Sequence, residues 1–418
     1  MTSFKFLHAA DLHLDSPLLG LASKSPEFAQ RVEDASRQAF DNLVDLAITE
    51  DCQFVVLAGD VFDGELRNMR AGLFFVDRLQ KLAAAGIKVF MVLGNHDAEN
   101  RFVSKLRFSD NVHVFSTRKA ETCRLEDIAV AIHGRSFPQR EVSENLAQTY
   151  PAPVPNVFNI GVLHTACIGR EGYHAAYAPC SVEQLANHGY SYWALGHVHA
   201  RAVLSEDPHI VYPGNLQGRT PRETGAKGVT LVEVRDGRVA TIEHRALDLV
   251  RWVTLDVDLG SVDDAAAVLS LVRESLQASS DAAEGRALAV RLILTGATPL
   301  HGELQVNIES MREEIVTICA GMAEDVWLER VALRTSRPLA VMSIDPSIAG
   351  QIEQELRSAP PAVLQERLEK RLADVAAKMP ASARLAELLE RLRTEAPARA
   401  VDLATALVLD QGAAGAPD

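Results

Sequence analysis

Short apolar runs recur through the first part of the chain, at Phe4 to Ala9, Phe54 to Ala58, Val89 to Val92, Ile128 to His133, Val157 to Leu163, Tyr192 to Leu195 and Val229 to Val234. Runs of this length, rich in Val, Ile, Phe and Tyr and bounded by Gly, Asp or Asn, predict strands buried on both faces. Between several of them apolar residues return every three or four positions, notably over Glu27 to Thr49 and Met69 to Ala85, which predicts amphipathic helices. The alternation predicts an α/β fold, two sheets sandwiched between helices with loops gathered at one edge. The turn Asp236-Gly237 predicts a hairpin between Val229 to Val234 and Arg238 to His244.

The pattern changes near Leu249. Trp252 to Val257 and Ala287 to Leu294 read as strands enclosing a helix from Val262 to Ala278, followed by another helix and a strand at Val326 to Leu333. This predicts a small α+β domain over 249–333 after a first domain of 1–248. A linker with Pro338 and Pro346 spans 334–347, and 348–418 turns helical, broken by Pro360, Pro361, Pro380 and Pro397. Leu364, Leu368 and Leu372 form one helical face and Leu385, Leu388, Leu389 and Leu392 another. The tail reads either as a plain helical subdomain or as a docking site for a partner helix.

The ends of the predicted strands carry the chemistry. Asp11-Leu12-His13, Gly59-Asp60, Gly94-Asn95-His96-Asp97, Leu163-His164-Thr165 and Gly196-His197-Val198-His199 each follow or close an apolar run. Singly, each has a bland account: Asp11 can cap a turn, and Gly59-Asp60 is an ordinary turn pair. Gly94 to Asp97 is more specific, a ligand-bearing loop leaving a buried strand. His197 and His199 flank Val198 and would share one side of an extended strand. Together the segments supply carboxylate, amide oxygen and imidazole, a donor set suited to Mn²⁺, Fe²⁺ or Zn²⁺ rather than Mg²⁺ or Ca²⁺. Two such ions about 3.5–4 Å apart can activate water and steady the leaving oxygen of a phosphate ester.

The order D-x-H, G-D, G-N-H-D, H, G-H-x-H resembles that of the calcineurin-like metallophosphoesterases. Phe6 to Asp15 and Gly59-Asp60-Val61-Phe62-Asp63 are similar to the bacterial SbcD nucleases and their meiotic-recombination-eleven counterparts in double-strand-break repair. Tyr212 to Arg219, Pro221 to Gly228 and Gly169 to Tyr173 resemble the YhaO branch of that group. The resemblance implies an α/β/β/α metallophosphoesterase sandwich with a small α+β capping domain that grips DNA. It implies Asp11, His13 and His199 on one metal, Asn95, His164 and His197 on the other, and Asp60 bridging both. His96 would face the phosphate as a catalytic residue, with Asp97 holding its ring in one tautomer. Asp63 departs from relatives that carry His there.

The 418 residues are 47% hydrophobic, enough for more than one core. No apolar run of about 18 residues and no secretion-signal pattern is present, so the expectation is a cytoplasmic enzyme with no membrane contact. Cys52, Cys123, Cys167, Cys180 and Cys319 form no C-x-x-C pair and read as reduced thiols, with Cys167 and Cys180 bracketing an insertion near the site. A net charge of −14 disfavours a polyanion partner. Yet Arg67, Arg70, Arg101, Lys105, Arg107, Arg170, Arg219, Arg222 and Lys227 cluster beside the motifs, either as solvated faces or as a cationic rim for DNA. The expectation is a Mn²⁺-dependent DNA nuclease, exonucleolytic and acting on single strands as an endonuclease as well, working with an SbcC-type coiled-coil ATPase; a second copy of the chain is a candidate partner. The alternatives are a phosphodiesterase for a small nucleotide or phosphoprotein, and a non-catalytic subunit of an ATPase complex.

Overall fold

The computed structural model describes residues 3–16, 26–63, 69–100, 106–168, 177–322 and 325–338, and beyond them 354, 362–378, 388–396 and 399. Two compact units emerge, Met1–Val253 with Gly285–Ala289, and Thr254–Glu284 with Val290–Asp418.

In the first unit the strands are β1 (Phe4–Ala9), β2 (Phe54–Ala58), β3 (Lys88–Val92), β4 (Val112–Val114), β5 (Glu121–Leu125), β6 (Val130–Gly134) and β7 (Phe158–His164). After them come β8 (Cys167–Ile168), β9 (Cys180–Ser181), β10 (Tyr192–Gly196), β11 (Ala202–Glu206), β12 (His209–Tyr212), β13 (Gly228–Arg235) and β14 (Arg238–Ala246). One sheet has the order β14-β13-β1-β2-β3-β4 and another β11-β12-β10-β7-β6-β5. Strands β1 to β4 run parallel, as do β6, β7, β10 and β12, so within each sheet their C-terminal ends lie along one edge.

The side-chain alternation of each strand explains the layering. Phe6, Phe54, Val56 and Phe90 meet Ile132, Ile160, Val162 and Tyr192 between the sheets. Phe6 stacks on Phe54 at 5.0 Å and takes the edge of Tyr192 at 5.3 Å. On the other face of the first sheet, Leu7, Val55, Leu57 and Met91 pack against Phe40 and Leu43 of α1 (Pro26–Thr49) and Phe75 and Leu79 of α2 (Arg70–Ala84). The second sheet buries Trp193 and Leu195 outward against Leu185 of α4 (Val182–Ala186), Tyr150 and Tyr190. Fully burying each large apolar side chain contributes about 1.5–3 kcal/mol. Both sheets are thus covered on both faces, an α/β/β/α sandwich, which is why their strands read as unbroken apolar runs.

Some boundaries differ from the sequence reading. Ile128 belongs to a 3₁₀ turn, Glu126–Ile128, and Ala129 takes φ 51°, so the strand expected from Ile128 begins at Val130. After β14, the strands β15 (Val250–Asp258), β16 (Ala287–Ala297) and β17 (Val326–Ser336) form one sheet, with α5 (Ala265–Asp281), α6 (His301–Val306) and α7 (Ile308–Ala320) between them in sequence. Helix α5 starts at Ala265 rather than Val262 because the Asp264 carboxylate accepts from the amides of Ala266 and Ala267, at 2.7 and 3.2 Å. Its buried Val268, Val272 and Leu276 recur at four-residue spacing. Strand β17 runs to Ser336, three residues into the segment read as a linker. Residues 339–347 and most of the tail, Leu385 among them, lie outside the described residues; a helix spans Ala362–Lys378. Among the described residues no helix is long and apolar enough to cross a membrane.

Candidate metal centre

The parallel strands deliver their polar residues at or just beyond their C-terminal ends. Asp11 and His13 follow β1, Asp60 follows β2, Asn95 opens the one-turn helix α3 (Asn95–Glu99) after β3, His164 closes β7, and His197 and His199 follow β10. Asp11, His13, Asp60 and His197 have φ of 52°, 42°, 53° and 97°. Side-chain-bearing residues rarely take this left-handed conformation, and its concentration here is the mark of a constrained site. The amides of Asp11 and His13 donate to the carbonyls of Gly59 and Asp60, at 2.9 and 3.1 Å, tying the first two loops together. Gly94 permits the close approach of the third, since a Cβ there would lie 2.2 Å from Asp60 Oδ1.

Two features correct the sequence reading. Gly94 to Asp97 is not a plain loop, because Asn95 to Glu99 form a helical turn whose His96 amide donates to Asp60 Oδ1 at 2.9 Å. His197 and His199 do not share one side of a strand. Strand β10 ends at Gly196 and His197 turns into the left-handed region, sending the two imidazoles to different clusters.

Ligand atoms of Asp11, His13 and His199 converge within 4.8 Å, as do those of Asp60, His164 and His197, and those of His13, Asp60 and His96. Asp60 Oδ2 lies 3.4 Å from His164 Nε2 and 3.9 Å from His13 Nε2. Asp11, both of whose oxygens accept from the His197 amide, lies 3.9 Å from His199 Nε2. All are buried.

The hydrogen bonds behind the clusters fix the tautomers. His164 Nδ1 donates to the Ala58 carbonyl at 2.8 Å, which in the neutral ring leaves Nε2 a lone pair pointing at Asn95 Oδ1, 3.0 Å away. His199 Nδ1 donates to Glu223 Oε1 at 2.7 Å, so its Nε2 faces His13 Nε2 at 3.2 Å in the same way. Donor atoms brought this close in a buried site suit a shared cation, and divalent metals fit this donor set. Burial depresses His13 to about 3 and so keeps it neutral, as ligation requires. Burial opposes charge on Asp60 as well, but His164 beside it holds its carboxyl well below the ordinary range. Burial disfavours the imidazolium of His164, yet Asp60 and Asp11 outweigh it and push the ring up to about 9. That demand for positive charge is one a divalent ion meets.

The surroundings of His96 overturn the role assigned to Asp97. Asp97 points away from the ring and accepts from the amides of Gly94, Phe62 and Val61, at 3.0, 3.0 and 3.2 Å, stitching the second loop to the third. Burial, then the charge of Asp60, raises its carboxyl to about 6. Asp63 takes the place beside His96 instead, its Oδ1 3.2 Å from Nδ1. The same oxygen lies 3.5 Å from His13 Nδ1 and 3.4 Å from Arg219 Nη1, and Ser16 donates to Oδ2 at 2.7 Å. Burial resists the charge on Asp63, but His13 and His96 hold it well below the carboxylate range. The signal was in Gly59 to Asp63, where Asp63 sits three residues after Asp60 in a loop fixed at both ends.

Glu223 was not legible as a site residue, and Arg219 was expected on a cationic rim for DNA. Glu223 accepts from His199, from the Arg219 amide at 2.6 Å and from Asn215 Nδ2 at 3.1 Å. Arg219 extends toward Ser16, Asp63 and His199 instead of standing on an outer rim. Lys227 is no rim residue either, for it is buried with Nζ donating to the His199 carbonyl at 3.0 Å. Arg70, Arg107 and Arg222 are exposed, whereas Arg67, Arg101, Lys105 and Arg170 lie outside the described residues.

The family model described as calcineurin-like phosphoesterase matches residues 4–201, and that of the metallophosphoesterase YhaO middle domain matches 252–336. The chain is 34% identical over 368 residues to the uncharacterized metallophosphoesterase YhaO of Bacillus subtilis, covering 86% of this chain and 88% of that protein. The DNA double-strand break repair protein Mre11 of Sulfurisphaera tokodaii is 26% identical over 264 residues, 60% of this chain and 64% of that one. The protein of the same name from Sulfolobus acidocaldarius is 20% identical over 367 residues, 84% and 90% of the two chains. A crystal structure of a dimetal phosphatase from Danio rerio aligns with a TM-score of 0.34 and 14% identity, over 56% of this chain and 94% of that one.

Proposed function

This chain belongs to the calcineurin-like metallophosphoesterases of the YhaO type, and from that membership we propose that it is a Mn²⁺-dependent DNA phosphodiesterase. The observation that carries the reading is the pair of buried clusters, Asp11-His13-His199 and Asp60-His164-His197, whose ligand atoms converge beside a half-exposed His96. Asp11, His13 and His199 would hold one ion and Asn95, His164 and His197 the other. Asp60, one oxygen of which lies near both His13 and His164, would serve both. Two divalent ions bound there supply a nucleophilic water at neutral pH and neutralise charge on the phosphate.

The protein's own groups do the rest. Glu223 and the Ala58 carbonyl orient the two ligand imidazoles, so that each offers Nε2. Burial disfavours the charged form of His96, but Asp63 and Asp60 outweigh it and raise its pKa, which favours a second proton on the ring. That proton is placed to go to the departing sugar oxygen as the phosphodiester breaks. Arg219 brings a guanidinium to the same side, suited to a non-bridging phosphate oxygen.

DNA as substrate is favoured by the likeness to double-strand break repair proteins and by exposed Arg70, Arg107 and Arg222 near the motifs. Exonucleolytic action, endonucleolytic cutting of single strands, an SbcC-type coiled-coil ATPase partner, self-association and a cytoplasmic setting belong to the same reading. The test is a substrate comparison by purified protein in Mn²⁺, with end-labelled duplex and single-stranded DNA set against bis-p-nitrophenyl phosphate and a phosphopeptide. Release of labelled nucleotides is expected. Hydrolysis of the small diester or the phosphopeptide with intact DNA would transfer the site to small nucleotides or phosphoproteins.

A further inference from the structure

Cys167 and Cys180 lie outside the proposed ligand set and have no part in the chemistry above. They are register partners in the two-stranded parallel sheet of β8 and β9, and their thiols hydrogen bond to each other. Adjacent strands stand about 4.7–4.9 Å apart, inside the Cα separation of about 4.4–6.8 Å that a disulfide spans. The surroundings hold both in place. The Cys167 amide donates to Tyr212 Oη at 3.0 Å, and that hydroxyl donates to the Thr165 carbonyl at 2.8 Å. Thr165 Oγ1 donates to the Ala178 carbonyl at 2.7 Å and lies 3.3 Å from Cys180 Sγ. Thr165 directly follows His164, so the residue beside Cys180 Sγ is the chain neighbour of a proposed ligand. The other three cysteines lie elsewhere in the chain, Cys52 before β2, Cys123 on β5 and Cys319 in α7, and all five are free thiols.

We propose that Cys167 and Cys180 are a redox modification site, closing to a reversible disulfide when a peroxide reaches them. The Cys180 thiolate attacks the peroxide, whose O–O bond breaks as an S–O bond forms, and one water leaves. Cys167 then attacks the resulting sulfenic sulfur, the S–S bond forms, and a second water leaves. The two thiols lose two electrons and two protons, and the peroxide is reduced to two waters. The hydrogen bond from Cys167 favours the thiolate of Cys180 and lowers its pKa, while that of Cys167 is raised, which sets the order of attack. Both sulfurs are buried, so a small oxidant suits the site better than a bulky one.

The test exposes the reduced, full-length protein to hydrogen peroxide until Cys123, the half-exposed thiol, has reacted. The protein is then unfolded, alkylated, digested and read by mass spectrometry. The expected result is one peptide pair joined through residues 167 and 180, lighter by two hydrogens and separated by dithiothreitol. Cys167→Ser and Cys180→Ser should each abolish it. Recovery of both residues as alkylated thiols, as separate sulfinic acids, or joined to other cysteines would overturn the proposal.

Discussion

His96 is the residue at which metal binding and phosphate chemistry can be separated. It reaches the group formed with His13 and Asp60, so position alone permits ligation, yet its ring is steadied by Asp63. If it serves the phosphate, His96→Asn keeps both ions and slows hydrolysis by about 10²- to 10⁴-fold, the usual worth of a general acid. Metal analysis beside the rate decides it, because loss of an ion would make His96 a ligand. The pH profile offers a second reading. A proton donor loses activity as pH rises through its pKa, and Asp63 helps to raise that of His96. Asp63→Asn should therefore move the alkaline limb of the rate profile to lower pH; an unmoved limb would remove Asp63 from proton control. The strand-end carboxylates and imidazoles were legible because metal ligation restricts residue type. The groups that orient them were not, since Asp97 and Asp63 trade roles through backbone geometry, and Glu223 acts across a distance that spacing does not encode.

At the scale of elements, the apolar runs gave the central strands because both faces of each sheet are covered. The edge strands β4 and β5 escaped notice, since Val112–Val114 and Glu121–Leu125 are half exposed and carry His, Glu, Thr and Arg. The helical turn at Asn95 was equally hidden, being a single turn whose start is a glycine. Its value is positional, because the turn from β3 into α3 passes against the Asp60 carboxylate. Gly94→Ala should push that carboxylate aside and lower metal content and activity together, while the far-ultraviolet circular dichroism of the sheets stays native. Full metal loading in Gly94→Ala would show that the turn yields and that the close approach is dispensable.

For the whole molecule, the division of labour runs along the chain: the proposed ligands all lie in the first unit, and the segment after Ser347 carries none. Deleting residues after Ser347 should leave Mn²⁺-dependent hydrolysis of a small phosphodiester largely intact and abolish co-purification with an SbcC-type ATPase. Retained association would end the docking role of the tail, and loss of metal or folding would place the tail within the catalytic body. The central claim, that a dinuclear centre in this chain cuts DNA, is tested most directly by end-labelled duplex DNA incubated with the wild-type protein and with Asp60→Asn, in Mn²⁺ and in chelator, with metal content measured on both proteins. Two ions per wild-type chain are expected, with labelled nucleotides released only in Mn²⁺ and both lost in Asp60→Asn. Nucleotide release that survives chelation, or an Asp60→Asn protein that keeps both ions and full activity, would contradict it.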